Sequence, residues 1–472
     1  MKYKYEEIAN ILEGHINKGI YKKGDKLPSI RILKEKYKTS VSTIQNVYEH
    51  LIISGLVESI PKSGYYVSSK QWAMDNNPNQ IEPFNIQETK FQHNLSAITT
   101  QGRKSLTEFN VAAPGDLLIP QKLILRMMQQ IIREKGAQLL RYYPSNGLLP
   151  LREEIARRNK LHGASINAEQ IIITDGALQA LYIALASVCE PNDIIAIESP
   201  CIFSVLEVIR TLKLRVIEIP VHHESGFDVD LLETICDTTA IKAVVLTPNF
   251  HNPTGTILSD IQKIKLLAIA ESKEIAIIEN DIYGDLSFSG NRPRTIQSWD
   301  KNGLVLIFSS YSKTIAGGIR LGWLSPGKYF EKAEQIKFAL GSTVSPIYQE
   351  VICKMLRTKS YDRHLRKFRM QLAEQAYQIR VVLSEYFPNK IGYTIPKGGY
   401  SIWIKAAEGM DMKQFYEYCE AMKIKFTPGT IFSFSPQYER YFRIIFADQL
   451  THKKAEALKT IGEWVDNTIQ KK

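Results

Sequence analysis

From about residue 106 onward the chain alternates short, branched apolar runs with helical patterns, and this alternation is what most narrows its fold. The runs cover 170–174, 194–197, 216–219, 243–246, 275–278 and 304–308. Each is too short for a helix, and each stops at polar, Gly or Pro residues. Parallel strands need a crossover, and the intervening helical patterns supply one. The alternation therefore predicts an α/β fold: a mainly parallel sheet with helices on both faces. In such sheets ligands bind beyond the carboxyl ends of the strands, so the residues that carry chemistry are expected just after these runs.

The length of 472 residues exceeds what one core usually organises. Texture divides the chain into residues 1–69, a polar linker at 70–105 containing Asn76-Asn77-Pro78-Asn79-Gln80, and the alternating part at 106–472. In the first part Tyr5, Ile8, Leu12 and Ile16 share one face of a helix. After a break at residues 24–29, Ser29 is placed to cap a second helix over 30–37. A third helix follows Thr39-Ser40 and runs to about Ser54, burying Ile44, Val47, Tyr48 and Leu51, with Gly55 ending it. Residues 56–59 and 65–67 flank a Pro61-Lys62-Ser63-Gly64 turn and read as a β-hairpin wing.

Three short helices and a wing describe a winged helix-turn-helix, a shape that binds either DNA or protein. As a DNA reader, its third helix enters the major groove with Ser42, Thr43 and Gln45 near base edges, while Arg31, Lys62 and Ser63 meet phosphates. Residues 1–69 hold 11 Lys/Arg against 7 Asp/Glu, a modest excess, and the whole chain carries +11. No apolar run approaches the roughly 20 residues of a membrane span, and the N-terminus lacks the apolar core of a signal peptide. A cytoplasmic protein is expected. The five cysteines, at 189, 201, 236, 353 and 419, form no Cys-x-x-Cys pair, so no metal site is expected.

Four strings follow apolar runs. Ser309-Ser310-Tyr311-Ser312-Lys313-Thr314 leads into Arg320-Leu321-Gly322-Trp323. A lysine there can form an imine with an aldehyde, and the nearby hydroxyls and arginine can gather a phosphate. Thr247 to Gly255 contains Asn252-Pro253-Thr254-Gly255, which alone is only a turn signal. Glu279-Asn280-Asp281-Ile282-Tyr283 offers a carboxylate for a pyridine nitrogen and a phenol for a ring oxygen, or simply a helix cap and a packed tyrosine. Thr174-Asp175-Gly176-Ala177 enters a helix whose first amides can bind phosphate.

Together and in this order, these strings resemble the class I/II aminotransferases of pyridoxal-phosphate (PLP) fold type I, over residues 106–472. The resemblance implies a large domain with a mainly parallel seven-stranded sheet and a small α+β C-terminal subdomain. It implies that Lys313 carries the internal aldimine of pyridoxal 5'-phosphate and that Asp281 faces the pyridine nitrogen. Asn252 and Tyr283 would face the phenolic oxygen, and Ser310, Ser312, Arg320, Gly176 and Ala177 would hold the phosphate. Phe203 would stack on the ring where many relatives have tyrosine, and Arg443, in Tyr441-Phe442-Arg443-Ile444, would grip a substrate or effector carboxylate. Tyr142 resembles a tyrosine donated to the neighbouring subunit's phosphate, which implies a homodimer.

The N-terminal strings Leu27-Pro28-Ser29-Ile30-Arg31 and Ser63-Gly64-Tyr65-Tyr66-Val67 resemble the GntR family of bacterial repressors, with Val41 where many members carry arginine. The combined layout resembles the MocR subfamily. It implies a PLP-dependent transcriptional regulator that binds operator DNA and senses PLP or an amino compound through Lys313. An active aminotransferase carrying a DNA-binding appendage fits the same residues and stays open.

Overall fold

The structure is a computed structural model that describes residues 4–60, 63–68, 86–89, 107–388 and 390–470. Its N-terminal part folds as helices Lys4–Asn17, Ile30–Tyr37 and Val41–Ile53, followed by the antiparallel strands Val57–Ile60 and Gly64–Val67. The second and third helices start at Ser29 and Ser40, whose hydroxyls accept from the amides of Ile32 and Thr43. Ile44, Val47, Tyr48 and Leu51 are fully buried, with Ile8, Leu12, Leu27 and Leu33 around them. Tyr48 stacks on Tyr65 of the wing at 3.8 Å between ring centroids and donates to the Pro28 carbonyl, so one residue ties three elements together. Gly55 closes the third helix at φ +74°, a backbone conformation that a side chain disfavours. Its turn lies against Arg380 of the long helix Ser360–Tyr386.

All six apolar runs read from the sequence contribute strands. The large sheet runs Gln87–Glu88, Arg215–His222, Ile194–Ser199, Ala243–Leu246, Ala276–Asn280, Val305–Ser310, Gly322–Ser325, Ile172–Thr174. The strands from Arg215–His222 to Val305–Ser310 are parallel, and Gly322–Ser325 is antiparallel to both its neighbours. Seven strands therefore make the body of the sheet, with Gln87–Glu88 and Gly226–Phe227 as short additions at one edge. Gln87–Glu88 comes from the stretch read as linker; most of that stretch lies outside the described residues.

Helices Gly176–Val188, Phe203–Thr211 and Phe330–Ala339 cover one face. Val229–Thr238 and Asp260–Lys273 cover the other. Coverage on both sides explains why Ala243–Leu246 is apolar at every position rather than at alternate ones. The small C-terminal subdomain is an antiparallel sheet in the order Gly392–Tyr393, Ser401–Lys405, Tyr441–Ile445, Thr427–Pro428, packed with helices Met412–Ala421 and His452–Gln470. Strand Thr107–Glu108 pairs with Ile424–Lys425 of this subdomain, and the chain then passes along the cleft toward the large sheet. Among the described residues, no helix is long and apolar enough to cross a membrane.

Candidate functional site

A cavity of about 290 Å³ lies beyond the carboxyl ends of the central strands, between the large sheet and the small subdomain. Lys313, in the turn after Val305–Ser310, stands in its wall. The Lys313 ammonium donates to the Ala112 carbonyl, and the Tyr400 hydroxyl donates to the Lys313 carbonyl. Burial pushes the amine down to about 8, helped by the like charges of Arg443 and Arg320. Near neutrality a useful fraction is therefore the free amine, the nucleophilic form.

At one end of the cavity, helix Gly176–Val188 begins without a side-chain cap, so its first-turn amides remain open. Ala177 lines the cavity there, together with Ser310, Ser312 and Arg320. Gly176 sits at φ +77°, and a Cβ on it would lie 2.8 Å from Arg320 Nη2, so only glycine lets the guanidinium approach the helix start. Arg320 donates to the Asp175 carbonyl at 3.2 Å. The Ser310 hydroxyl is held by the Leu321 carbonyl and by Ser312 Oγ, both at 3.0 Å, which shapes the turn before Lys313. Open amides, hydroxyls and an arginine make an anion cradle.

The other end is built around Arg443, on strand Tyr441–Ile445 of the small subdomain and 1% exposed. Its guanidinium donates to Asn252 Oδ1 at 2.9 Å, to the Asn110 carbonyl at 2.8 Å and to Thr427 Oγ1 at 3.1 Å. Nε is buried with no hydrogen-bond partner, and among the described residues no carboxylate pairs with this arginine. Burial lowers its pKa to about 10. Asn252 Nδ2 donates to the Tyr283 hydroxyl at 3.1 Å, so Arg443, Asn252 and Tyr283 form one chain of contacts along the cavity wall. Phe203 completes that wall, 5.9 Å from the guanidinium carbon to the ring centroid.

Most residues singled out for the cofactor thus converge on one cavity. Gly176 stands just behind it, against Arg320, and two residues lie elsewhere. The Asp281 side chain lies on the far side of its strand, in a separate small cavity, where it pairs with the buried Arg292. The residue lining the Lys313 cavity at that strand end is its neighbour Asn280. Tyr142 is 90% exposed and takes no part in the cavity of its own chain. Sequence reasoning missed Asn280, Asn110, Thr247 and the Ala112 carbonyl. Asn280 and Thr247 stood inside strings already noticed, whereas nothing in the sequence marks the others.

In the N-terminal part, Arg31, Ser42, Gln45 and Ser63 are exposed and Thr43 is half-buried. Arg31 faces Glu35 at 3.6 Å, with both side chains largely in solvent. The Ser42 and Thr43 hydroxyls both contact Ser40 Oγ, at 2.9 and 2.8 Å, as part of the helix start. Gln45 and its neighbour Asn46 project freely. Ser63 Oγ meets the Tyr66 hydroxyl at 2.6 Å. Lys62 lies outside the described residues.

Residues 113–461 match the family Aminotransferase class I and II, and residues 4–67 match the bacterial regulatory proteins of the gntR family. The chain is 36% identical to the HTH-type transcriptional regulator YjiR of Escherichia coli, over 99% of this chain and all of that one. It is 29% identical to the HTH-type transcriptional regulator NorG of Staphylococcus aureus, over 93% of this chain and 99% of that one. Among solved structures it is similar to a multiple substrate aminotransferase from Thermococcus profundus (TM-score 0.73, 23% identity, 81% and 98% of the two chains). It is also similar to a kynurenine aminotransferase of Pyrococcus horikoshii in complex with PMP (TM-score 0.72, 24% identity, 78% and 92%). With a gntR-family winged helix at one end and a class I and II aminotransferase fold over the rest, the chain belongs to the HTH-type transcriptional regulators of the MocR kind.

Proposed function

We propose that this regulator binds pyridoxal 5'-phosphate in the Lys313 cavity and senses an amino compound there. The observation that carries the reading is Arg443: a buried guanidinium with no carboxylate partner among the described residues, in the same cavity as the half-buried Lys313. A buried charge left unpaired is costly, so a site built this way is built for an anion. The residues fit the cofactor and its ligand at two ends. The open amides at Gly176-Ala177 with Ser312 and Arg320 suit a phosphate, and Arg443 suits a carboxylate, which a planar fork grips in two places. When bound, the cofactor supplies an aldehyde that condenses reversibly with amines and a ring that withdraws electrons.

The chain's own residues do the rest. Lys313 would hold the aldehyde carbon, and its lowered pKa favours the nucleophilic free amine. Asn252 and Tyr283 would hold the ring oxygen, Phe203 would cover the ring, and Ser310 shapes the turn before Lys313. An incoming amino compound that takes the place of Lys313 also gains Arg443. Arg443 belongs to the small subdomain and Lys313 to the large one, so such a ligand joins the two across the cleft. That difference between free and bound states is what can shift an equilibrium. PLP itself, by its presence or absence, is a trigger of the same kind.

In this reading residues 1–69 bind operator DNA, 70–105 connect, and 106–472 sense. Arg31, Lys62 and Ser63 meet phosphates, and Gln45, with Ser42 and Thr43 at the helix start, faces bases. Tyr142, together with exposed Leu140, Leu125 and Ile132, serves a homodimer in which it reaches the partner's phosphate site. The protein works in the cytoplasm, where DNA and free amino compounds meet. The lowered Lys313 pKa also suits a general base, so a working aminotransferase with a DNA-binding segment is the second reading.

The test is a pair of measurements on the full-length protein. Reconstitution with PLP should give a visible absorption band that survives dialysis. Binding to DNA from its own upstream region should change when an amino compound alters that band. A protein that retains no chromophore overturns the cofactor reading; a band that responds while DNA affinity does not overturns the sensor reading.

A further inference from the structure

Among the described residues, the side chains that line the Lys313 cavity include three cations, Lys313, Arg320 and Arg443, and no carboxylate. At the end of strand Ala276–Asn280 the lining residue is Asn280, 8% exposed. Its orientation is set by a relay. The Thr247 hydroxyl donates its single hydrogen to the buried Glu198 carboxylate at 3.0 Å, so its oxygen accepts from Asn280 Nδ2 at 3.3 Å. Asn280 Oδ1 accepts from the Ile282 amide at 3.2 Å. The amide therefore cannot flip, and Nδ2 keeps a second hydrogen to give. The two carboxylates beside it in sequence are both turned away: Asp281 pairs with Arg292, and Glu279 accepts from the amides of Ile296 and Gln297. Tyr283, the remaining titratable group in the wall, is pushed up by burial and stays neutral.

We propose that Asn280 faces the ring nitrogen of the bound cofactor and keeps it unprotonated. This deepens the cofactor reading above and rests on it. A carboxylate partner holds a pyridine nitrogen protonated and makes the ring a strong electron acceptor. An amide N–H instead donates to the nitrogen's lone pair, which favours the neutral form. Arg320 and Arg443, which stay cationic at the cavity, oppose a further positive charge. With its nitrogen neutral, a bound ring would be a weaker electron acceptor, and the Lys313 amine would take up the α-proton of a bound amino acid less readily. The chain would then bind amino compounds and release them with little conversion, which suits a sensor better than a catalyst.

The experiment reconstitutes full-length wild type and Asn280→Asp with PLP labelled with ¹⁵N in the ring and records the nitrogen resonance. Wild type should show a neutral pyridine nitrogen, and the variant should shift to the pyridinium position. A pyridinium signal in wild type overturns the proposal. The wild-type spectrum decides this alone if the variant does not fold. If wild type retains no chromophore, the cofactor reading fails and takes this proposal with it, whereas a retained chromophore with a pyridinium nitrogen defeats this proposal only. Exchange of the α-proton of L-alanine for solvent deuterium should quicken in the folded variant by at least about tenfold. An unchanged rate despite a shifted resonance overturns the link between Asn280 and slow conversion.

Discussion

The Lys313 cavity and the face of helix Val41–Ile53 are both prepared for anions, but in opposite ways. In the cavity Arg443 is buried, aligned by hydrogen bonds and, among the described residues, short of a counter-charge, with three donors fixed at 2.8–3.1 Å. On the helix face the polar groups stand in water, and on the neighbouring helix Ile30–Tyr37 Arg31, with its side chain 88% exposed, faces Glu35 at 3.6 Å. Burial makes each cavity interaction strong and each loss severe. Exposure makes each surface interaction weak, screened by salt and tolerant of change. On the proposed reading, sensing would rest on a few residues and DNA affinity on many.

Substitutions should break or sharpen this contrast in a definite order. Lys313→Ala is expected to abolish the visible band of the reconstituted protein; a band of unchanged position and strength would remove Lys313 from the site. Arg443→Lys keeps the charge but loses the fork, and should weaken amino-acid titration of that band roughly a hundredfold, the scale of a lost charged hydrogen-bonded contact. Equal affinity in the two proteins would show that the carboxylate binds elsewhere.

On the helix face the effects should be smaller. Gln45→Ala is expected to cost about 1–3 kcal/mol at the operator and much less on random DNA, measured as the ratio of the two affinities. Arg31→Ala should weaken both alike and lower the slope of log affinity against log salt by about 1. A specificity change on removing Arg31 would contradict its phosphate role.

The pH response separates the regions again. Burial lowers the Lys313 pKa from 10.5 to about 8, so folding favours the neutral amine. Its contribution to stability is complete above 10.5 and is lost as the pH falls through about 8. Stopped-flow capture of PLP by the apoprotein should accelerate as pH rises through about 8 and then level off. A flat profile would mean that the amine does not limit capture.

The cavity could be recognised in the sequence because its parts follow strands, and strand ends are local features. Lys313, Asn252, Tyr283, Ser312, Arg320 and Arg443 come from distant segments, yet each stands at a strand end or within a strand that the fold brings to one cleft. The error at Asp281 has a physical cause. Successive side chains of a strand point to opposite faces, so neighbours such as Asn280 and Asp281 lie on opposite sides, and only packing decides which one meets the cavity. A carboxylate beside a tyrosine is a strong chemical signal, and it pointed to the neighbour that lines the other cavity. Arg292, eleven residues later, claims Asp281, and nothing local announces that pair. The edge strand Gln87–Glu88 was missed for a related reason: two residues carry no period, and their pairing with Arg215 and Val216 exists only in three dimensions.

What the sequence determined by itself was therefore the order of helices and strands, the alternation that makes the sheet parallel, the buried face of the DNA-reading helix and the lysine at the strand end. These depend on apolar periodicity, capping residues and turn residues, which act over a few positions. The tertiary structure alone decided that, among the described residues, no carboxylate lines the cavity, that Arg443 of the small subdomain has no acidic partner there, and that Asn280 rather than Asp281 turns toward Lys313. Those outcomes depend on which side of each strand turns inward and on ion pairs between distant segments, and both are settled only when the elements pack.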